Sequence, residues 1–590
     1  MRLQPLFRQH RRLFSRFHPL PLLQAALCLL CITVKTAQAA DAAWVGGIGT
    51  QNWSDGANWN PAAAPGAISG TTNANIATFN TGLGATTITV DAGRNLRSLV
   101  FATGAAGSFT IGSAGTNAGE TLHLSSGGTV VMNSGITAPV TVNAPIVVHP
   151  TSGTGTGTYT FANNATSAND DANAHKMIIN GNVSGGMTSN TITLNFNATS
   201  GNRSNDASAN VMNGLISNGQ AAQVAVAVAG VTGGQRGVWR FNNNNNSYTG
   251  ATSVSNGTLI FTSIANSGVN SAIGAGSTLN VGSSSHVKYV GGAASTDRAI
   301  TGNGLFYNNG SGALTLNSTI AAGLTFRGGQ SFVINGLISG NSGVSRTDGG
   351  TVFLNNNANS FVGDVSISDG AFRAGTLFNN GTNSAVGNTG RIFLGQGSTT
   401  IGRFEYSGMT TSTNRLIVMR NDAVGNTGRG VIEVLTAGET LTLTAGVRNN
   451  SGTTANVAEL TLRGAGNGEI QGQIGGTTGN AAALTSLQII KTGTGTWTLS
   501  GANTYTRLTT VSAGIFNIRH SSALGAVLSN EAIPSAANAG TTVASGATLQ
   551  LQNNISVGAE TLSLAGNGPA ARTERWSMSA GPTASREPSP

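Results

Sequence analysis

Cysteine is almost missing from this chain: two in 590 residues, Cys28 and Cys31, both within the first forty. Beyond that point no disulfide framework and no thiolate chemistry is available. Charged residues make up only 9% of the chain and aromatic residues 5%, which leaves little for paired-carboxylate catalysis or for a large aromatic core. The net charge of +9 is misleading. Six of the basic residues (Arg2, Arg8, Arg11, Arg12, Arg16 and Lys35) precede residue 40, where there is no acidic residue, so the remainder carries +3. No cluster of lysine or arginine with interleaved aromatics follows, and a nucleic-acid partner is excluded on that ground. No apolar run after residue 40 reaches the length of a membrane-spanning helix.

Glycine supplies 84 residues, and hydrophobic residues supply 39%. The apolar residues alternate with small polar ones in short runs, as in TTITVDAG from Thr86, LRSLVFATG from Leu96, TLHLSSGGTVVMNSG from Thr121 and ITAPVTVNAPIVVH from Ile136. Alternation with period two reads as strand, and the glycines and asparagines between runs read as turns. Enough valine, isoleucine, leucine and phenylalanine recur at alternate positions to fill a core, which argues against disorder.

Three stretches repeat one another: GVWRFNNNNNSYTGATSVSNGTLIF from Gly237, GTVFLNNNANSFVGDVSISDGAFRA from Gly350 and GTWTLSGANTYTRLTTVSAGIFNIR from Gly495. An Asn-rich tract, an aromatic (Tyr248, Phe361, Tyr505), a β-branched residue six places on (Val254, Ile367, Val511) and a glycine (Gly257, Gly370, Gly514) hold register in all three. The first two superpose without a gap when Gly237 is laid on Gly350, and the third lacks one position of the Asn tract. Preludes recur at Asn213, Asn335 and Gln471, with a fainter one at Asn180. Codas recur as SAIGAG at Ser271, SAVGNT at Ser384 and SALGAV at Ser522. Variable spacing around a constant motif predicts an array with loops inserted on one face.

The segment from Gly493 to Ile518 resembles the autotransporter-associated β-strand repeat, also called the passenger-associated transport repeat, of bacterial exported proteins. It departs from that pattern at Arg507 and Leu508, where the family has a glycine pair. WVGGIGTQNWSDGANWNPAAAPG, with Trp44, Trp53 and Trp59, is similar to the opening of many such proteins. The resemblance implies export and a β-solenoid and implies no enzyme activity.

The fold expected is all-β, a right-handed parallel β-helix running from about residue 80 to about residue 565. An open-ended stack suits repeats at uneven intervals better than a sandwich does. Val254, Leu259, Phe261, Ile367, Phe372, Val511 and Phe516 should be buried, and Asn242 to Asn246 and Asn355 to Asn357 should form amide ladders at turns. Coils of roughly 20 to 25 residues, each advancing about 4.8 Å, would give a rod on the order of 100 to 120 Å long. The division expected is 1–39 signal peptide, 40–80 Trp-rich cap, 81–568 solenoid with repeats near 213–282, 335–395 and 471–551, and 569–590 disordered tail.

Five arginines, an apolar stretch from Pro19 to Val34 and the small residues Ala37-Gln38-Ala39 form a secretory leader, with cleavage expected after Ala39. Cys28 and Cys31 fall inside it and leave with it. The rest of the chemistry is negative. His123, His149, His175, His286 and His520 stand outside metal-ligand spacing and read as turn or surface residues. The Gly-Thr runs at Gly153 to Gly157 and Gly493 to Gly495 lack the Lys-Ser/Thr of a phosphate loop. Asp170 and Asp171 form the densest carboxylate site and read as a solvated loop, with calcium binding or polysaccharide chemistry as the alternatives. No catalytic, cofactor-binding or metal residue is assigned. The function expected is an exported structural repeat protein that assists secretion and surface display, with the export machinery as partner. An adhesin or glycan-binding protein, with a surface glycan or cell-surface molecule as partner, is the alternative, and a carbohydrate-active enzyme comes third.

Repeat texture stops at Gly568, and PAARTERWSMSAGPTASREPSP follows. Back-translated and read from the third base of each codon, this tail permits TNGALVNVSGxNSVTGxIT, which is similar to a further copy of the repeat. Residues 569–590 are therefore expected to be out of frame, with more coils, and a barrel or other anchor, encoded beyond.

Overall fold

The computed structural model describes residues 40–565 apart from 81–83, 103–106, 114, 116–118, 151–155, 166–174, 189–190, 200–203, 231–236, 398, 421–426, 451–456, 476–485, 527–539 and 559. Residues 1–39 with both cysteines, Asp170, Asp171 and the residues after 565 lie outside the described residues. The short alternating runs form short strands whose burial alternates along most of their length, as in Val140–Val142 and Thr191–Ala198. Outside the strands, the only helical pieces among the described residues are the single turns Gly56–Asn58 and Asp206–Ser208.

The strands stack in parallel into four sheets of 16, 16, 12 and 6 strands. Antiparallel strand pairing occurs at the start, where Ala42–Trp44 lies between Trp59–Asn60, which runs against it, and Ile76–Phe79, which runs with it. Trp44, Trp53 and Trp59 are buried there against Phe79, with ring centroids of Trp44 and Trp53 each 5.0 Å from Trp59. At the other end Leu551, Leu562 and Leu564 are 43%, 38% and 60% exposed.

Each turn of the chain visits three faces. From His286–Tyr289 the order is second sheet, third sheet (Ala294–Thr296), first sheet (Ala299–Gly302), then second again (Leu305–Asn308). From Ile392–Leu394 onward the fourth sheet (Thr411–Thr413 and its successors) occupies the place in the order that the first has vacated. The core is one continuous cluster along this stack, and it includes Val254, Leu259, Phe261, Ile367, Phe372, Val511 and Phe516. Side chains of like position fall over one another: Val140, Met177 and Val142, Ile179, Met212 follow in register up the second sheet.

Coil length is less uniform than expected. One coil carries the chain from Tyr289 to its partner Asn308, whereas another, nearly twice as long, carries it from Val142 to Ile179. Insertions are absorbed at corners, because only the stacked strands need hold register.

The repeat module as candidate functional site

Each of the three repeats is one full coil. Its first strand is covered by its own third strand: Val238 pairs with Thr258, Thr351 with Ala371 and Thr496 with Ile515. The position missing from the third Asn tract thus makes the third coil shorter by one. The three coils do not share a face. The outer strands lie in the second sheet for the first repeat, the third for the second and the fourth for the third, with middle strands in the first, second and third sheets. The motif moves one face around the stack at each recurrence. The segments that follow it, from residues 262, 375 and 519, consequently leave from three different faces rather than the one expected.

One asparagine in each copy ties three coils together. Asn246 Oδ1 accepts from Ile216 N in the coil below at 2.7 Å, and its Nδ2 donates to Ala272 O in the coil above at 2.9 Å. Asn359 does the same between Ile338 N and Ala385 O, both at 2.8 Å, and Asn503 between Ile474 N (2.8 Å) and Ala523 O (2.7 Å). All three are buried. Each satisfies a backbone donor and a backbone acceptor that a corner would otherwise leave unpaired. Two residues on, the buried aromatic packs beneath the coda. Gly274 and Gly387 sit over the ring and carbonyl of Tyr248 and Phe361 with φ of +71° and +81°, where a Cβ would collide at 2.6–2.8 Å. That approach and that conformation are why these codas read SAIG and SAVG.

Buried cations hold the turns. Before the second and third copies, Arg346 and Lys491 occupy the same place. Arg346 donates to the carbonyls of Gly328 and Gly349, and Lys491 Nζ to those of Thr492, Gly493 and Ala513, each at 2.9 Å. Burial draws the Lys491 ammonium down to about 8. After the first and second copies a Thr-x-Arg returns one coil later. Arg298 donates to the carbonyls of Ala265, Val269, Ile273, Gly274 and Gly276. Arg415 donates to those of Phe378, Val386, Gly387, Asn388 and Gly390. Both are 1% exposed, and burial lowers the guanidinium of each, Arg415 to about 10, which leaves Arg415 charged at neutral pH. Sequence reasoning passed over these arginines. The signal was present, since the arginines of STDRAI and STNRLI stand nine places past Tyr289 and Tyr406.

The amide ladders are narrower than expected. Only the first asparagine of each tract joins one: Asn143, Asn180, Asn213 and Asn242 form one column, and Asn317, Asn335 and Asn355 another. The tract's buried member turns inward as the tie just described. On the outside of the third sheet the carboxylates are spread over successive coils and engaged by arginines: Glu405 with Arg373, Glu433 with Arg463, Glu459 with Arg429. Among the described residues no three of His, Cys, Asp and Glu come together as a metal site.

One histidine departs from expectation. His149 is buried, not at the surface, with its ring 4.8 Å from that of His123 in the coil below. Burial, helped by the His123 charge, holds it down to about 4. Stacking of coils joins residues that lie far apart along the chain, which spacing in the sequence does not reveal.

Residues 236–261, 346–382 and 489–518 match the family described as Passenger-associated-transport-repeat. Over 278 residues, 45% of its length, the chain is 30% identical to the "Adhesin BmaC autotransporter" of Brucella suis biovar 1 (strain 1330), of which it spans 6%. No solved structure matches. Each matched segment contains one of the stacked coils that begin at 237, 350 and 495, so the residues similar to this family are the ones that form the recurring module.

Proposed function

We propose that this chain is an exported rod displayed at the cell surface, a right-handed parallel β-solenoid whose repeats serve as folding anchors during secretion. The observation that carries the reading is the buried asparagine common to the three copies. It bonds the coil below and the coil above at once, so each repeat fixes the register of its neighbours. In a solenoid every coil contacts only adjacent coils, and folding started at an anchored coil can propagate along the chain. A chain crossing a membrane unfolded would gain from anchors spaced along its length.

The leader directs export, with Ala40 as the mature N-terminus, residues 40–80 close the first coil, and 81–568 form the stack. We also place residues 569–590 out of frame, with further repeats encoded beyond them. Resequencing the locus tests that point: early stop codons in the alternative frame would refute it. Expression of the full gene tests the main reading. Mass spectrometry should find a chain beginning Ala40-Asp41-Ala42, and protease added to intact cells should cleave it. A chain retained in the cytoplasm with Met1 would end the proposal. A second reading, adhesion, draws support from the similarity to the Brucella adhesin and is compatible with display.

A further inference from the structure

Every asparagine ladder must end, and the two in this protein end differently. In the first, Nδ2 of each upper residue donates to Oδ1 of the one below, at 2.9 Å from Asn180 to Asn143 and 2.8 Å from Asn213 to Asn180 and from Asn242 to Asn213. The top oxygen, Asn242 Oδ1, is closed off by Arg240 Nε at 2.9 Å. In the second, Asn335 donates to Asn317 at 2.8 Å and Asn355 to Asn335 at 2.9 Å. The next residue in register is Gly375, since Leu354 pairs with Ala374. Glycine has no carboxamide, and no donor among the described residues reaches Asn355 Oδ1.

The missing rung opens a cleft of about 280 Å³ lined by Leu354, Asn355, Asn357, Arg373, Gly375 and Ser407. Its chemistry is polar. Arg373 is tied to Glu405 through Nε at 2.8 Å and Nη2 at 2.7 Å, and Arg403 Nε lies 3.9 Å from the same carboxylate. Asn357 Oδ1 is taken by the Thr376 hydroxyl at 3.0 Å, leaving its Nδ2 to donate, and the Ser407 hydroxyl, which donates to Ala374 O at 3.4 Å, can accept. Beside the cleft the half-exposed Phe353 ring lies 4.9 Å from the Arg373 guanidinium. A free acceptor, an amide donor, a hydroxyl that can accept and an apolar edge, in a space just under the usual size of ligand sites, suit one sugar residue.

We propose that this cleft binds an N-acetylated hexosamine, whose amide N–H donates to Asn355 Oδ1 and takes the place of the absent rung. Ring hydroxyls then meet Asn357 Nδ2 and Ser407. The inference rests on the cleft alone and does not depend on export or display. A single shallow sugar site of this kind binds with a dissociation constant on the order of a millimolar.

The test is saturation-transfer NMR on the mature chain with N,N′-diacetylchitobiose, and with cellobiose as the sugar that lacks the amide. The expected result is transfer to the acetamido methyls of chitobiose and affinity for cellobiose at least tenfold lower. Gly375→Asn restores the rung and should abolish binding while the melting temperature holds, because the nearest atom to a Cβ there is Asn357 Oδ1 at 3.9 Å. Asn355→Leu, at an exposed position, should abolish binding by removing the acceptor. Absence of chitobiose binding, equal affinity for cellobiose, or unchanged binding in either variant overturns the proposal.

Discussion

The segments that follow the second and third repeats carry similar codas, SAVGNT and SALGAV, but meet side chains of opposite charge one coil later. Nine places past Tyr406, Arg415 enters the second loop and takes five carbonyls. Nine places past Leu551, at the matching position in the coil above the third repeat, stands Glu560. Burial raises the Glu560 carboxyl above its usual range, and its bond from the Thr541 hydroxyl (3.0 Å) opposes that. After burial, the Glu560 charge adds to the upward push on the Tyr505 phenol. The second loop is organised by a cation that the chain supplies later. The third repeat has a carboxyl at the position that matches that cation. The tie asparagine is common to both, so the comparison separates what the repeat requires from what an individual loop adds.

The largest break in this comparison is Arg415→Met. Phe378 O, Gly387 O and Asn388 O keep donors in Thr413, Ser384 and Gly381, but among the described residues Val386 O and Gly390 O lose theirs, and the loss should cost about 2 to 5 kcal/mol for two unsatisfied buried groups. Limited proteolysis should then cut within 375–391, and calorimetry should show the lowered transition. Arg298→Met should do the same within 262–277. Asn503→Leu, Asn359→Leu and Asn246→Leu should each cost about 1 to 3 kcal/mol for unsatisfied buried backbone groups. Equality among the three is the sharper expectation. A loss confined to Asn359 would mean that the tie matters only where an arginine completes the loop.

A smaller effect concerns the aromatic. Tyr248 and Tyr505 share a hydrogen bond with Thr252 and Thr509 at 2.7 and 2.8 Å, whereas the second repeat has Phe361 and Val365 at these two places. Tyr505→Phe should cost about 1 kcal/mol, and Tyr505→Phe with Thr509→Val close to nothing, since replacing both partners by apolar groups of the same shape is nearly neutral. A double-mutant cycle by chemical denaturation reads the coupling. The smallest effect is expected for Glu560→Gln. A carboxyl whose folded pKa lies above its unfolded value binds its proton more tightly in the folded chain. Its contribution is therefore favourable below the unfolded value and is lost as pH rises through the folded one. The variant should flatten that part of the pH–stability curve, and an unchanged curve would show that Glu560 does not couple to folding.

Much of the fold was legible because strand alternation and repeat register are local properties. The seven core residues named from the repeat are all buried, since period two fixes which side of a strand faces inward. The ladders were legible as a type of contact, but their membership was not. Asn242 and Asn246 look alike in sequence, yet one sits at the strand end pointing outward and the other at the corner pointing in. The Thr-x-Arg clamps and the His123–His149 pair depend on which coils are neighbours, and coil length varies with the inserted loop, as the partners Tyr289 and Asn308, or Val142 and Ile179, show. The cleft depends on a side chain that is missing at Gly375, and only stacking register shows that an asparagine would have continued there.

The one-coil span of the repeat has a mechanical consequence. About 20 residues are wound into a layer about 4.8 Å high, and the same residues drawn straight reach roughly 68 Å. A pull along the stack peels coils from an end one after another, each releasing about fourteen times its own height. The molecule is thus a spooled tether, and under force it should unwind in steps whose sizes record the lengths of successive coils.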